Sequence, residues 1–144
     1  MRVLDLVKSR QEIYSIQEDA TVHETARYLR DHHVRSVGVL DAAGRLVGVV
    51  SQSDVSDKVA AENKCPAWMR VSEIMSRDLV VVRPEFQLDE CLRLMEKHDI
   101  FHLLIMGESE KFLGMLSVAD LLQVISSDHK ARADMFEAFV FPQR

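Results

Sequence analysis

The chain repeats itself at a spacing of 66 residues, and this internal repeat constrains its fold more than any other feature. Residues 15–60 align with residues 81–126 without a gap, and the apolar positions match almost throughout. Six residues are identical between the copies, and three of them, Gly48, Ser51 and Asp54, lie within seven residues. A shared core explains the matching apolar positions, but it does not explain why a serine and an aspartate match as well.

Each copy predicts the element order β-α-β-β-α. An amphipathic helix is indicated where apolar residues recur at i, i+4 and i+7, as Val22, Ala26 and Leu29 do in the first copy. Thr21, with Glu24 three residues later, predicts a capping box at the start of this helix. The predicted strands lie at about residues 13–16, 37–40 and 46–50, and at 79–82, 103–106 and 112–116. Hairpin turns are predicted at 41–44 and 107–110, and the second helix of each copy from about residues 53 and 119.

Neither copy alone could bury both faces of so small a sheet, whereas two copies packed together could. We therefore predict an α/β (α+β) fold of two repeats, residues 1–62 and 71–127, joined by a polar linker over 63–70. Residues 128–144 form a tail that is predicted to be helical, since Met135 and Phe139 are spaced by i, i+4. The tail either folds back on its own domain or contacts a partner or a second copy, and the sequence leaves both open.

Composition and charge exclude several classes of function. A formal net charge of −5 argues against nucleic-acid binding, because binding to phosphates needs a concentrated basic face. No stretch approaches the roughly 18 apolar residues that a membrane span needs, and Met1–Lys8 does not resemble the start of a signal peptide. Cys65 and Cys91 have no metal-ligand spacing, so we expect reduced thiols and a cytoplasmic protein.

A hairpin that closes with the pattern apolar, Gly, apolar, apolar, Ser, x, x, Asp and then opens a helix resembles the signature of the CBS domain. The pattern stands twice, at Val47–Asp54 and Leu113–Asp120, in register within the two β-α-β-β-α frames. By this resemblance the chain is identified as a pair of CBS domains (a Bateman module) over nearly its whole length. The resemblance implies that the repeats pack with pseudo-two-fold symmetry and that two such pairs often form a disc-shaped homodimer.

The resemblance also implies a ligand, since many CBS pairs bind AMP, ADP, ATP or S-adenosylmethionine in clefts between the repeats. In the family the signature aspartate holds the ribose hydroxyls, and the other repeat lies near the adenine. Carried over by position, the first predicted site contains Ser51, Ser53, Asp54 and Val80. The second contains Ser117, Asp120 and Tyr14. The candidates for phosphate contacts are Arg35, which belongs to the first site, and His102.

The chemistry of these residue types agrees with that role, but each has a structural alternative. A carboxylate can accept two hydrogen bonds from adjacent ribose hydroxyls, yet Asp54 and Asp120 could equally be helix caps. Arg35 could be a solvated charge at a strand end, and His102 a packed histidine. Gly48 and Gly114 either let another backbone approach closely or relieve strand packing.

Three hypotheses about function remain open. We expect no enzymatic activity, required cofactor or metal site, because the sequence has no Ser-His-Asp order, paired-carboxylate motif, phosphate loop or closed Cys/His spacing. The first hypothesis is a regulatory module that senses an adenosine nucleotide. The second is a ligand-free structural or interaction protein assembled through the tail. The third is a regulatory subunit that acts in trans on an enzyme or a transporter.

Overall fold

The structure, a computed structural model, describes residues 2–9 and 12–124. Its helices and strands are, in chain order, α1 (Val3–Ser9), β1 (Ser15–Gln17), α2 (Val22–Asp31), β2 (Ser36–Leu40), β3 (Leu46–Ser51), α3 (Gln52–Val55), β4 (Val81–Val82), α4 (Leu88–His98), β5 (His102–Met106), β6 (Phe112–Ser117) and α5 (Val118–Val124). A π-helical turn follows α3 at Ser56–Ala60, and 3₁₀ turns lie at Pro66–Trp68, Val71–Glu73 and Glu108–Glu110. After α1, the predicted order β-α-β-β-α therefore occurs twice. Within the described residues, no helix is both long enough and apolar enough to span a membrane.

The two repeats form two three-stranded sheets with the same topology. β1 runs parallel to β2, which pairs with β3 in the antiparallel sense, and β4, β5 and β6 repeat this arrangement. The register also repeats, because Ser36 pairs with Ser51 and His102 pairs with Ser117. The 66-residue offset of the sequence is therefore preserved strand by strand.

The first strand of each repeat is shorter than predicted and begins later. The predictions of strands at 13–16 and 79–82 were wrong in their bounds, since β1 and β4 begin at Ser15 and Val81. The residues just before them, Tyr14 and Val80, line clefts between the repeats. An apolar side chain at a cleft and one in a sheet give the same hydrophobic pattern, so the sequence could not separate the two cases.

Helix α2 shows how local sequence sets the bounds of an element. The Thr21 hydroxyl accepts a hydrogen bond from the Glu24 N–H at 3.0 Å, which is one half of the predicted capping box. The helix then buries Val22 and Leu29 as predicted. It ends before His33, which has the left-handed φ of 54° that commonly terminates a helix.

Each repeat has its core completed by the segment that precedes the first strand of the other repeat. Val3 of α1 is fully buried in the core of the second repeat, and its N–H donates to the Phe86 carbonyl at 2.9 Å. In the opposite direction, Val71 and Ile74 are buried in the core of the first repeat, and the Val71 N–H donates to the Ala20 carbonyl at 2.8 Å. The repeats therefore depend on each other for burial, as their small size requires.

The two matching glycines serve different local needs. Ser76 pairs with Val49 of β3 through backbone hydrogen bonds of 2.8 and 3.0 Å. A Cβ on the neighbouring Gly48 would lie 2.5 Å from the Met75 sulfur and 3.0 Å from the Ser76 carbonyl oxygen. Gly48 therefore permits this close approach, one of its two predicted roles, whereas Gly114 has a φ of 119°, which side-chain-bearing residues rarely adopt.

A third apolar cluster joins the two sheets. Its buried members come from β5 and β6 of the second repeat, namely Leu104, Met106 and Phe112. Leu40, Leu46 and Val49 of the first repeat pack against them. The Ser36 hydroxyl and the Met115 sulfur also meet across this boundary at 3.9 Å. The repeats are thus held as one unit, and two clefts open at their boundary.

Candidate functional site

Two clefts lie between the repeats, and the repeat relates them. The larger cleft has a volume of about 970 Å³ and lies between the start of α5 in the second repeat and residues 12–14 of the first. The smaller cleft has a volume of about 520 Å³ and lies between the start of α3 in the first repeat and residues 76–80 of the second. Both volumes fall in the range of small-molecule sites, about 300–1,000 Å³.

Each cleft is bordered by a Ser-x-x-Asp loop in which serine and aspartate cap a helix reciprocally. In the first repeat, the Ser51 N–H and hydroxyl donate to Asp54 Oδ2 at 2.9 and 3.2 Å, and the Asp54 N–H donates to Ser51 Oγ at 3.2 Å. The same three bonds between Ser117 and Asp120 measure 2.7, 3.0 and 3.2 Å. The structural alternative is therefore confirmed for both aspartates, and it accounts for the matching serine.

The two loops differ in the residue four positions after the aspartate. In the first repeat this is Lys58, whose Nζ lies 3.0 Å from Asp54 Oδ1 and also donates to the Ile74 carbonyl at 2.8 Å. In the second repeat it is Val124. A ligand hydroxyl that approaches Asp54 therefore meets a carboxylate already paired with an ammonium group, which weakens it as an acceptor.

Arg35 and His102 lie on the wall that both clefts share. His102 is half-buried at the start of β5, and this burial lowers the pKa of its imidazole. The nearby Asp120 carboxylate raises that pKa, and the Arg35 guanidinium lowers it again. The sequence placed Arg35 in the first site, but the structure brings it to both clefts.

Tyr14, which lines the larger cleft, belongs to a small group of rings. Its ring centroid lies 6.4 Å from that of Tyr28 in an edge-on arrangement and 5.0 Å from that of His32. The neighbouring Glu12 carboxylate, together with burial, raises the pKa of the Tyr14 hydroxyl. His32 is thus engaged with aromatic rings, and within residues 2–9 and 12–124 no cluster of three metal-ligating side chains occurs.

All nine residues singled out in the sequence line a cleft. Those at the larger cleft are Tyr14, Arg35, His102, Ser117 and Asp120. Those at the smaller cleft are Arg35, Ser51, Ser53, Asp54, Val80 and His102. Their contact with a ligand stays a prediction.

Several lining residues were missed, although the repeat itself could have found them. Glu12 and His33 line the larger cleft, and the residues 66 positions later, Asp78 and Asp99, line the smaller one. These four residues lie in the loops before the first and second strands of each repeat, outside the Ser-x-x-Asp motif that matches most strongly. Aligning those loops at the same offset of 66 residues pairs Glu12 with Asp78 and His33 with Asp99.

The comparisons with known proteins agree on one family. The family model described as CBS domain matches residues 3–61 and 71–127. The uncharacterized protein MJ1232 of Methanocaldococcus jannaschii is 27% identical over 116 residues, which is 81% of this chain and 37% of that protein. The chain thus spans little more than a third of the length of this relative.

Two solved structures show the same fold. A protein with CBS domains from Burkholderia ambifaria MC40-6 superposes with a TM-score of 0.81 at 25% identity, covering 90% of this chain and 96% of that one. The CBS domain pair of protein MJ0100, solved in complex with 5′-methylthioadenosine and S-adenosyl-L-methionine, superposes with a TM-score of 0.77 at 20% identity. That comparison covers 88% of this chain and 97% of the MJ0100 pair.

Proposed function

Because this chain belongs to the CBS domain family and carries two copies of the domain, we propose that it is a regulatory module that binds an adenosine-containing ligand in the clefts between its repeats. AMP, ADP and ATP are the first candidates, and S-adenosylmethionine is a further one. The homodimer, the cytoplasmic location and the repeat bounds of 1–62 and 71–127 belong to the same proposal.

One observation carries this proposal: each cleft combines the Ser-x-x-Asp loop of one repeat with the segment before the first strand of the other. At the larger cleft these are Ser117–Asp120 and residues 12–14. A ligand bound there contacts both repeats at once and so changes how firmly they pack. This is the geometry that a sensor needs, because a ligand shifts a conformational equilibrium only through different contacts in the two states.

The chemistry of the larger cleft supports an adenosine ligand. The Asp120 carboxylate provides acceptor oxygens for ribose hydroxyls near the start of α5. Tyr14 and Ile13 give the opposite side aromatic and aliphatic surface suited to a base. The methylthioadenosine and S-adenosylmethionine bound by the MJ0100 pair provide support by analogy, since both contain adenosine.

Thermal unfolding with AMP, ADP, ATP, S-adenosylmethionine and 5′-methylthioadenosine tests the proposal. A ligand that binds only the folded chain stabilises it by about 2.7 kcal/mol at a hundredfold excess over Kd, which raises Tm by several degrees for a domain of this size. The Asp120→Asn variant keeps an oxygen that can cap α5 but loses a ribose acceptor, so its ligand-induced shift should be smaller. Asp89→Asn, on the exposed face of α4, is the matched control and should keep the full shift.

The same thermal unfolding measurement also distinguishes the sensing proposal from the other two hypotheses about function. If none of the five ligands changes Tm, the sensing proposal is wrong, and an interaction protein with empty clefts becomes the better account. If a ligand binds, a regulatory role in trans on an enzyme or transporter remains compatible, and capture of a partner only in the presence of that ligand would support it.

A further inference from the structure

The two clefts share a single arginine side chain. Among residues 2–9 and 12–124, Arg35 is the one lysine or arginine that lines either cleft, and it lines both. At each cleft, carboxylate side chains outnumber the Arg35 guanidinium. The larger cleft is lined by Glu12 and Asp120. The smaller cleft is lined by Asp54, Asp78 and Asp99.

The backbone at Arg35 is fixed, whereas its side chain is exposed. The Arg35 carbonyl accepts a hydrogen bond from the Gln52 N–H at 2.9 Å, which ties the residue to the start of α3. At the equivalent position, the Phe101 carbonyl accepts from the Val118 N–H at 3.1 Å, but its side chain is a neutral ring. The repeat therefore provides two equivalent positions on the shared wall and one guanidinium.

Resting on the proposed function, we infer that the module holds only one phosphate-bearing adenosine ligand at a time, because the two clefts compete for Arg35. A phosphate bound in one cleft forms a charge-assisted hydrogen bond with the guanidinium. A second phosphate in the other cleft faces carboxylates without that cation. The second cleft accepts an adenosine ligand that carries no phosphate.

The larger cleft is the one that takes the phosphate. It is lined by two carboxylates where the smaller cleft has three, and it also has His33 at its wall. Near the smaller cleft, Lys58 is already held between Asp54 Oδ1 at 3.0 Å and the Ile74 carbonyl at 2.8 Å. Moving this ammonium group to a phosphate would remove the ion-pair partner of the Asp54 carboxylate.

Calorimetric titration with AMP and with 5′-methylthioadenosine, which has no phosphate, tests the inference. We expect one AMP and two methylthioadenosine molecules per chain. Arg35→Gln should weaken the affinity for AMP at least about tenfold, which corresponds to the loss of roughly one charge-assisted hydrogen bond. The same variant should change the affinity for methylthioadenosine by less than about twofold. Arg27→Gln removes an exposed arginine from α2, away from both clefts, and should change neither ligand.

Several results would overturn the inference. Two AMP molecules of equal affinity per chain, or a single methylthioadenosine, would show that Arg35 does not limit the stoichiometry. An Arg35→Gln variant that weakens both ligands equally would show that the arginine acts on the fold or on the nucleoside. These outcomes leave the proposed function intact, whereas failure of both ligands to bind the parent chain contradicts the proposed function as well.

Discussion

Each signature aspartate uses Oδ2 to cap its own helix, so substituting it changes stability before any ligand is added. We predict that Asp120→Ala lowers the free energy of unfolding by about 1 kcal/mol, because the Ser117 N–H and hydroxyl lose their acceptor. Asp54→Ala should cost slightly more, since the partly exposed ion pair with Lys58 adds about 0.3–0.5 kcal/mol. Urea denaturation without ligand measures both.

The asparagine variants are the control for this prediction. Asparagine keeps one side-chain oxygen as an acceptor, so Asp120→Asn should lose less stability than Asp120→Ala. Equal urea midpoints for the parent chain and the alanine variants would contradict the capping role. Asparagine is for the same reason the better substitution in ligand-binding experiments.

His102 makes stability depend on pH near neutrality. Burial lowers the pKa of its imidazole in the folded chain, so the unfolded chain binds more protons as the pH falls through the ordinary value of 6.5. The contribution of His102 to stability is therefore fully present above that pH and is lost as the pH falls toward the folded-state pKa. We predict that His102→Gln loses less stability than the parent chain between pH 7.5 and 5.5.

Denaturant unfolding at the two pH values checks this prediction. His23→Gln is the control, because His23 lies on the exposed face of α2 and away from both clefts. A His102→Gln variant with the same pH dependence as the parent chain would show that this imidazole is not held in its neutral form by burial.

At the residue scale, the sequence predicted which residues line the two clefts, but it did not predict that the clefts share a wall. The Ser-x-x-Asp loops were evident because both copies carry them in register. The sequence did not show that Arg35 faces two clefts. A repeat shows which positions are equivalent, but it does not show that two equivalent positions meet in space. The caps were open alternatives because the same side chains suit a cap and a ribose contact.

At the scale of elements, the exchange of segments between repeats makes a specific prediction. Val3→Ala should lower the free energy of unfolding by about 1.5–3 kcal/mol, since it removes two methyl groups from a fully buried site. The affected core is that of the second repeat, although Val3 lies before the first strand of the first repeat. Lys8→Ala changes an exposed residue of the same helix and should have an effect within about 0.5 kcal/mol.

Amide hydrogen exchange locates the effect. In the Val3→Ala variant, protection should fall first in α4 and β5, which pack around Val3. Loss of protection confined to β1 and β2 would contradict the exchanged arrangement. The sequence predicted the elements themselves through their periodicity, but a short apolar segment such as 3–7 carries no signal for which of two similar cores it covers.

At the scale of the whole molecule, the two repeats form one interdependent unit. The cluster around Phe112, Leu104 and Met106 joins the sheets, and the exchanged segments complete both cores. A ligand that bound in either cleft would therefore act on the packing of the entire pair. The predicted homodimer stays a prediction. The tail at 128–144, for which the sequence leaves open both folding back and contact with a partner or second copy, lies outside the described residues.

The most direct test of the central claim is a map of backbone amide chemical shifts by NMR during titration with AMP. The account predicts perturbations in both repeats at once, at Ser117–Asp120 on one side of the larger cleft and at residues 12–14 on the other, with little change in the hairpin turn at 41–44. Perturbations confined to one repeat, or an unchanged spectrum of the folded chain at millimolar AMP, would contradict a nucleotide site between the repeats.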